Sequence, residues 1–336
     1  MSTVVAQGTD EDTLREGLER MIPAMLDTPS AITGIHWSRF KHSTSYNTYL
    51  VTVQLATGSE LKLFLKDFGF SVRPKDSPKQ RRERELLVYQ DLLAEAELGT
   101  ARYYGSILDE SQGRFWLLLE YVDGTPVGYC NIEHWAPAAG GLGRMHGYFA
   151  QQCNRLRACD FLIHHNADFF WSKAELALRN VSQISPHLVD RLENIINHYA
   201  PIVDIMTGQP PTLLHGGCRS SNILVKVASD PSRVCIIDWE KAGFGAPLYD
   251  VAYLLDGIEP PTLDRLLDVY RQEALAYNLH LPPKEEMKYF VDCFRLHMVM
   301  NLLSYAVLKG YKEKGVAKII DIGDHLSNIV TRPFIV

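Results

Sequence analysis

Apolar residues recur at helical spacing in "DTLREGLERMIPAML", where Leu14, Leu18, Met21 and Met25 share one face and predict a first helix starting near Thr13. Residues 1–12 are small, polar and acidic and are expected to be mobile. From Ala31 to Phe68 the period shortens to two, and "YLVTVQLATGSELKLFLKDF" predicts two strands joined by a turn at "ATGS". Side chains alternate across a pleated strand, so Leu61, Leu63 and Leu65 take one face and Lys62, Phe64 and Lys66 the other. "RRERELLVYQDLLAEAEL" returns to helical spacing, with an apolar stripe of Leu86, Leu87, Tyr89 and Leu93 and with Glu83 and Glu85 in the first two turns. Two further strands, "ARYYGSILD" and "RFWLLLEYVDG", follow, the second closed by a turn at Asp123 and Gly124. Beyond Gly124 the pattern is mainly helical, interrupted by one strand-rich block at 212–240.

That change of period divides the chain into an N-terminal lobe over 1–124 and a C-terminal lobe over 125–336 and predicts an α+β fold, an antiparallel sheet with a helix followed by a mainly helical lobe. The 336 residues, 46% hydrophobic and 22% charged, suffice for a large core and fall in the ordinary globular range. A net charge of -6 offers no basic field to phosphate backbones, which argues against nucleic acid and leaves a cationic or neutral small molecule as the easier partner. Cysteines without C-x-x-C spacing, several in apolar runs such as "RVCIID", predict reduced, buried thiols and a cytoplasmic setting. The N-terminus lacks a basic start followed by an apolar core. The apolar stretch "MVMNLLSYAVL" is too short to span a bilayer and is interrupted by Asn301 and Ser304, so a soluble protein without a membrane partner is expected.

Within 212–240, "NILVKV" and "RVCIID" predict two strands joined by the turn "ASDPS". Antiparallel pairing places Asn222, before the first strand, and Asp238, after the second, at the same open end. A carboxylate and an amide oxygen without nearby Cys or His suit a hard cation. Mg²⁺ takes one or two such protein oxygens and fills its shell with phosphate oxygens and water, so the pair predicts a nucleotide. Taken alone, the same two residues also describe a turn residue and a cap.

"HGGCRSSNILV" followed by "CIIDWEKAGFGAPLYDVAYLL" resembles the catalytic and metal loops of the aminoglycoside phosphotransferase and choline kinase family, relatives of the protein kinases. The family pattern is matched by His215, Gly216, Asn222, Asp238, Trp239, Glu240, Gly245, Pro247 and Asp250. The resemblance implies a two-lobed kinase-like fold, ATP or GTP as donor, and Mg²⁺ held by Asn222 and Asp238. It extends upstream. "LFLKDF" resembles the strand whose lysine pairs with nucleotide phosphates, giving Lys66, and "RERELLVY" the helix whose glutamate holds that lysine, giving Glu85 with Glu83 as second choice. "LLLEYVDG" resembles the stretch joining the lobes, where backbone groups near Glu120 and Val122 would bind adenine, and "GGLGRMHGYF" the helix that follows. No glycine-rich phosphate loop is present, and a turn at Ser43 to Ser45 would cover the phosphates instead. His215 would support the loop, and Arg219 stands where relatives carry a cation near the γ-phosphate, although a solvated loop arginine fits the sequence equally.

Gly217 stands where the family places its catalytic aspartate, five residues before Asn222. Glycine cannot accept a proton. General-base help is worth about 10²- to 10⁴-fold, while positioning and charge neutralisation supply most of the rate in phosphoryl transfer. The resemblance therefore implies phosphoryl transfer to a hydroxyl of an aminoglycoside-like or amino-alcohol-like molecule, impaired or silent as written. The alternative is a pseudokinase that binds nucleotide or small molecule without transfer. Three accounts of Gly217 stand open: a natural pseudokinase, an enzyme using another carboxylate such as Glu240, or an introduced substitution. His164 and His165 read as surface loop residues, and Phe169, Phe170 and Trp171 as packing residues or a wall for a cationic amine. Asp256, Glu259 and Asp264 could bind amino groups or be solvated, and Asp250 is expected to cap "VAYLL" and steady the loop.

Overall fold

The computed structural model describes residues 7–25, 30–40, 46–71, 74–96, 98–226 and 233–332. Contacts divide the chain into two compact units, Met1–Asp123 and Gly124–Val336.

The first unit opens with α1 (Gln7–Met25), continues through β1 (Ile32–Arg39), β2 (Tyr46–Leu55) and β3 (Glu60–Ser71) to α2 (Pro78–Leu87), whose continuation Val88–Leu93 widens into a π-helix, and closes with β4 (Tyr103–Asp109) and β5 (Arg114–Glu120). The five strands form one antiparallel sheet in the order β1-β2-β3-β5-β4. Alternation sets its two faces. Val51, Val53, Leu63, Leu65, Ile107, Trp116 and Leu118 pack with Leu14, Leu18 and Ile22 of α1 into a core. Lys66, one residue past Leu65, falls on the opposite face.

The first helix starts at Gln7 rather than near Thr13, so Gln7–Asp12, expected to be mobile, are helical. Two effects favour the extra turns. Asp10 lies in the first turn, where the helix dipole stabilises negative charge. Its carboxylate also accepts a 2.6 Å bond from Arg114 Nη2 on β5.

The second unit contains β6 (Thr125–Pro126), α3 (Trp135–Ala150), α4 (Cys153–Arg157), β7 (Ile163–His164), α5 (Ala167–Ile184), α6 (Val189–Ile196), α7 (Tyr199–Thr207), β8 (Thr212–Leu214), β9 (Ile223–Lys226), β10 (Arg233–Ile236), β11 (Gly243–Gly245), α8 (Leu248–Leu254), α9 (Thr262–Ala276), α10 (Lys284–Ser304) and α11 (Glu313–Val330). Two small sheets, β10-β9-β6 and β7-β11-β8, are embedded among the helices. β9 and β10 pair antiparallel as expected, and the turn "ASDPS" lies outside the described residues. β6, β7 and β11 are not anticipated by the sequence, because strands of two or three residues are too short to show a period. α3 lies close against α9: a Cβ on Gly143 would stand 2.5 Å from the Tyr270 carbonyl oxygen, so only glycine fits there.

Among the described residues no helix is long and apolar enough to cross a membrane. All six cysteines are free, and Cys218, Cys235 and Cys293 are buried. Burial and the neighbouring Asp292 push the Cys293 thiol up to about 12, which leaves it uncharged and unreactive.

α10 brings His297 into the core, where Nδ1 bonds the Tyr199 hydroxyl at 2.7 Å and Nε2 has no partner. Burial, His165 and Lys173 hold its pKa well below 6.5. In the unfolded chain it takes a proton near 6.5, so below that pH the unfolded state binds more protons and stability falls as pH falls. The expected slope approaches ~1.4 kcal/mol per pH unit and vanishes above the unfolded pKa. Urea midpoints of the native chain and His297→Gln between about pH 5.5 and 7.5 check this. The variant should show the shallower acid loss, and an equally steep one would contradict the assignment.

Candidate active site

In the first unit, β3 is hydrogen-bonded on both sides, with Lys66 opposite Thr48 of β2 and Leu117 of β5. Its ammonium donates to Glu85 Oε1 at 2.9 Å and Oε2 at 2.7 Å, and both residues are buried, Lys66 to 7% and Glu85 to 1% exposure. The rings of Tyr46 and Phe68 lie 5.3 and 5.2 Å from Nζ, adding cation–π attraction. Glu83 instead faces Lys79 at 3.7 Å on the solvent side, so Glu85 is the residue that meets the lysine. At the end of β5 the Glu120 N–H donates to the Arg102 carbonyl at 2.8 Å and the Tyr121 N–H to that of Lys62 at 3.3 Å. Val122 makes no backbone hydrogen bond among the described residues, so its peptide groups are open to a ligand where the amide of Glu120 is not. Ser43 to Ser45 lie outside the described residues.

In the second unit, β8 delivers the chain into the loop that begins at His215. The backbone N–H groups of His215 and Gly216 donate to Asp250 Oδ2 at 2.6 Å and Oδ1 at 3.0 Å. His146 Nε2 meets Oδ2 at 3.3 Å, its Nδ1 meets the Tyr270 hydroxyl at 2.7 Å, and Thr212 donates to the His146 carbonyl at 2.7 Å. Asp250 is fully buried, so this network satisfies a charge that would otherwise be costly. The expected cap on α8 is absent, because that helix starts after Pro247 without a side-chain cap; Asp250 turns to the loop instead.

Gly216 has φ of 73°, and a Cβ there would stand 2.0 Å from the Lys241 carbonyl oxygen, so the loop can pass only as glycine. The Gly217 carbonyl then accepts from Arg219 N at 2.7 Å and Asn222 Nδ2 at 3.2 Å. A Cβ on Gly217 would meet only Lys241 Cδ, at an ordinary 3.6 Å. Arg219 is exposed, its guanidinium 5.9 Å from the Tyr253 ring, and it forms no ion pair among the described residues.

Ile223 pairs with Ile236, and the Ile237 N–H donates to the Asn222 carbonyl at 2.9 Å. The backbones of Asn222 and Asp238 therefore lie at the same open end of the β9–β10 hairpin, as the spacing predicts. His215 Nε2 donates to the Ile237 carbonyl at 2.8 Å and its ring lies 5.0 Å from Trp239, which supports the hairpin end from below the surface. Asp238 has φ of 71°. Left-handed backbone at a non-glycine residue costs on the order of 1–3 kcal/mol and persists where the surroundings impose it, commonly at functional sites. Among the described residues no three His, Cys, Asp or Glu side chains converge on a metal position.

Several expected surface residues behave otherwise. His165 is buried, stacked on Phe169 at 4.0 Å and edge-on to Tyr249 at 4.4 Å, because β7 feeds it into the helical core; His164 alone is exposed. Asp264 is engaged by Lys288 at 2.9 Å, while Asp256 and Glu259 are exposed. Lys241, absent from the sequence reading although three residues past Asp238, packs against Gly217, and its ammonium and that of Lys173 lie 5.4 and 4.8 Å from the Tyr305 ring.

Residues 36–286 match the sequence profile of the phosphotransferase enzyme family. The chain belongs to this family. Among solved structures, this family member is similar to a candidate aminoglycoside phosphotransferase from Ralstonia eutropha, with 13% identity over 96% of this chain and 99% of the other and a TM-score of 0.61. A macrolide 2'-phosphotransferase from Brachybacterium faecium gives 13% identity, 98% and 100% coverage and a TM-score of 0.58. The GDP complex of an aminoglycoside 2'-phosphotransferase gives 16%, 94% and 99%, and 0.57. No curated protein matches the chain. At these identities the likeness establishes the fold, the α+β class that the sequence pattern predicts and the kinase-like form of it that the family resemblance implies.

Proposed function

We propose that this phosphotransferase family member binds a magnesium nucleotide, ATP or GTP, and transfers phosphate to a hydroxyl of a small molecule, with transfer impaired by glycine at position 217. The observation that carries this reading is the placement of Asn222 and Asp238 at the same end of the β9–β10 hairpin, next to a loop pinned by Asp250. The donor set fits a hard cation. Asn222 gives its amide nitrogen to the Gly217 carbonyl, which turns its oxygen away from that bond, and the carboxylate of Asp238 follows two residues after the last hairpin residue. Magnesium, when bound, neutralises charge on the transferred phosphoryl group. Lys66, held by Glu85, is the residue read as binding nucleotide phosphate, and Val122 is read as meeting the base through its open peptide groups. Arg219 is placed to add positive charge near the loop. The binding of GDP, or of ADP with hygromycin B, by structural neighbours agrees with nucleotide use.

Gly217 favours a second reading, a nucleotide or small-molecule binder without transfer. Both readings require nucleotide binding. At a hundredfold excess over its dissociation constant, MgATP or MgGTP should stabilise the protein by about 2.7 kcal/mol, a melting shift of a few degrees. Asp238→Asn should remove most of that shift. If neither nucleotide moves the native chain, both readings fail; if a shift occurs, product formation with hydroxyl acceptors separates them.

A further inference from the structure

On the face of the first unit's sheet that carries Lys66, one buried hydroxyl is left without a bond. Thr48 of β2 stands directly across from Lys66 of β3, and residues paired in this way project from the same face with Cβ atoms about 4.5–5.5 Å apart. Thr48 is 6% exposed and Lys66 7%. The Thr48 Oγ1 has no hydrogen-bond partner among the described residues. The sheet does not supply one: β2 is paired with β1 on one side and β3 on the other, and the Thr48 carbonyl already accepts from the Phe40 N–H at 2.8 Å. Burying a hydroxyl unbonded is destabilising, and valine would give the same branched shape and strand preference without that cost. The hydroxyl is therefore a burden on the ligand-free strand, and a bond made only when something binds beside it accounts for its presence.

The neighbours of Thr48 select the ligand. The Lys66 ammonium is held by Glu85 Oε1 and Oε2 at 2.9 and 2.7 Å, with the rings of Tyr46 and Phe68 5.3 and 5.2 Å away. An ammonium with a hydroxyl beside it suits an anion. The cation supplies charge, the hydroxyl supplies a directed O–H, and one phosphate group has oxygens enough to accept from both. A hydroxyl is also neutral, so it adds a donor without competing with Lys66 for the Glu85 carboxylate. The sequence between β1 and β2, "FKHSTS", has no glycine to bring a run of backbone amides close to a phosphate, which leaves more of that contact to side chains of the strands.

We infer that the Thr48 hydroxyl donates a hydrogen bond to the nucleotide phosphate that Lys66 receives, and is a binding residue for the phosphate donor. This rests on the reading of Lys66 as the phosphate-binding lysine. Calorimetric titration of the full chain with MgATP and with magnesium tripolyphosphate, for the native protein, Thr48→Val and Thr48→Ser, tests it. Thr48→Val should bind both about 10-fold or more weakly, the usual worth of one hydrogen bond to a charged group, while Thr48→Ser, which keeps the hydroxyl, should bind close to native. Without nucleotide, the urea midpoint of Thr48→Val should stay level or rise, because the variant removes an unbonded polar group; a threonine serving the architecture alone would give the opposite sign. The inference is overturned if Thr48→Val binds MgATP and tripolyphosphate as the native chain does, the result expected if water alone meets the hydroxyl. It is also overturned if Thr48→Ser loses as much affinity as Thr48→Val, or if the ligand-free midpoint of Thr48→Val falls. In each of these cases the native chain still binds MgATP and the nucleotide reading stands. If the native chain binds neither MgATP nor tripolyphosphate, the nucleotide reading fails and the role of Thr48 falls with it.

Discussion

Restoring aspartate at position 217 is expected to raise phosphate transfer by about 10²- to 10⁴-fold, the usual worth of a positioned general base. The site can take the side chain. The backbone at Gly217 does not need the left-handed region that Gly216 occupies, and the nearest atom to a new Cβ is the flexible Lys241 Cδ at 3.6 Å. Loop geometry on both sides is held by bonds that do not involve a side chain at 217, through Asp250 before it and Asn222 after it. Melting temperature should therefore change by no more than about two degrees, because surface substitutions away from special features stay within about half a kcal/mol. Lys241 would stand beside the new carboxylate and keep it ionised. Initial rates with MgATP and a panel of anionic and cationic polyols, for the native chain against Gly217→Asp, read the effect. Equal turnover in both would mean that another carboxylate, Glu240 foremost, already serves as base. Nucleotide binding with no turnover in either would leave a binder.

Removing the carboxylate of Glu85 should cost about 3–5 kcal/mol, because it strands the Lys66 ammonium in a protein interior. Lys66 is 7% exposed and Glu85 1%, so water can replace little of what is lost. Urea unfolding of Glu85→Ala gives the number. The double variant Lys66→Met with Glu85→Leu should recover much of the loss, since replacing a buried ion pair by apolar side chains is often neutral or stabilising. The same double variant should lose nucleotide-dependent stabilisation, and retention of it would remove Lys66 from the phosphate-binding role. Recovery of folding without recovery of ligand response would show that the pair serves binding more than architecture.

The sequence was most informative where the deciding residues are neighbours along the chain. Period-two alternation placed Lys66 on the face opposite Leu65, and antiparallel pairing of the two short strands placed Asn222 and Asp238 at the same end of their hairpin. Helical spacing placed Glu85 at the right depth, although Glu83, two residues away, could be set aside only once Lys79 was seen beside it. Interactions between distant segments were not legible. Tyr305 receives Lys173 from α5 and Lys241 from the loop after β10, and nothing in the pattern of any one segment announces such a meeting. Asp250 looked like a helix cap because caps are local, whereas its partners lie on the preceding strand-to-loop junction and on α3. His165 looked exposed because its neighbour His164 and the turn around it are polar, and only the pairing of β7 with β11 shows why it is drawn inward.

The fastening of the loop by Asp250 and Asn222 makes position 217 a socket whose shape does not depend on what occupies it. A pyrimidine-ending glycine codon becomes an aspartate codon by one base change and reverts by another. On the reading proposed above, one base change would thus carry the loop between a form with and a form without a proton acceptor, with Asp250 and Asn222 holding its backbone in both.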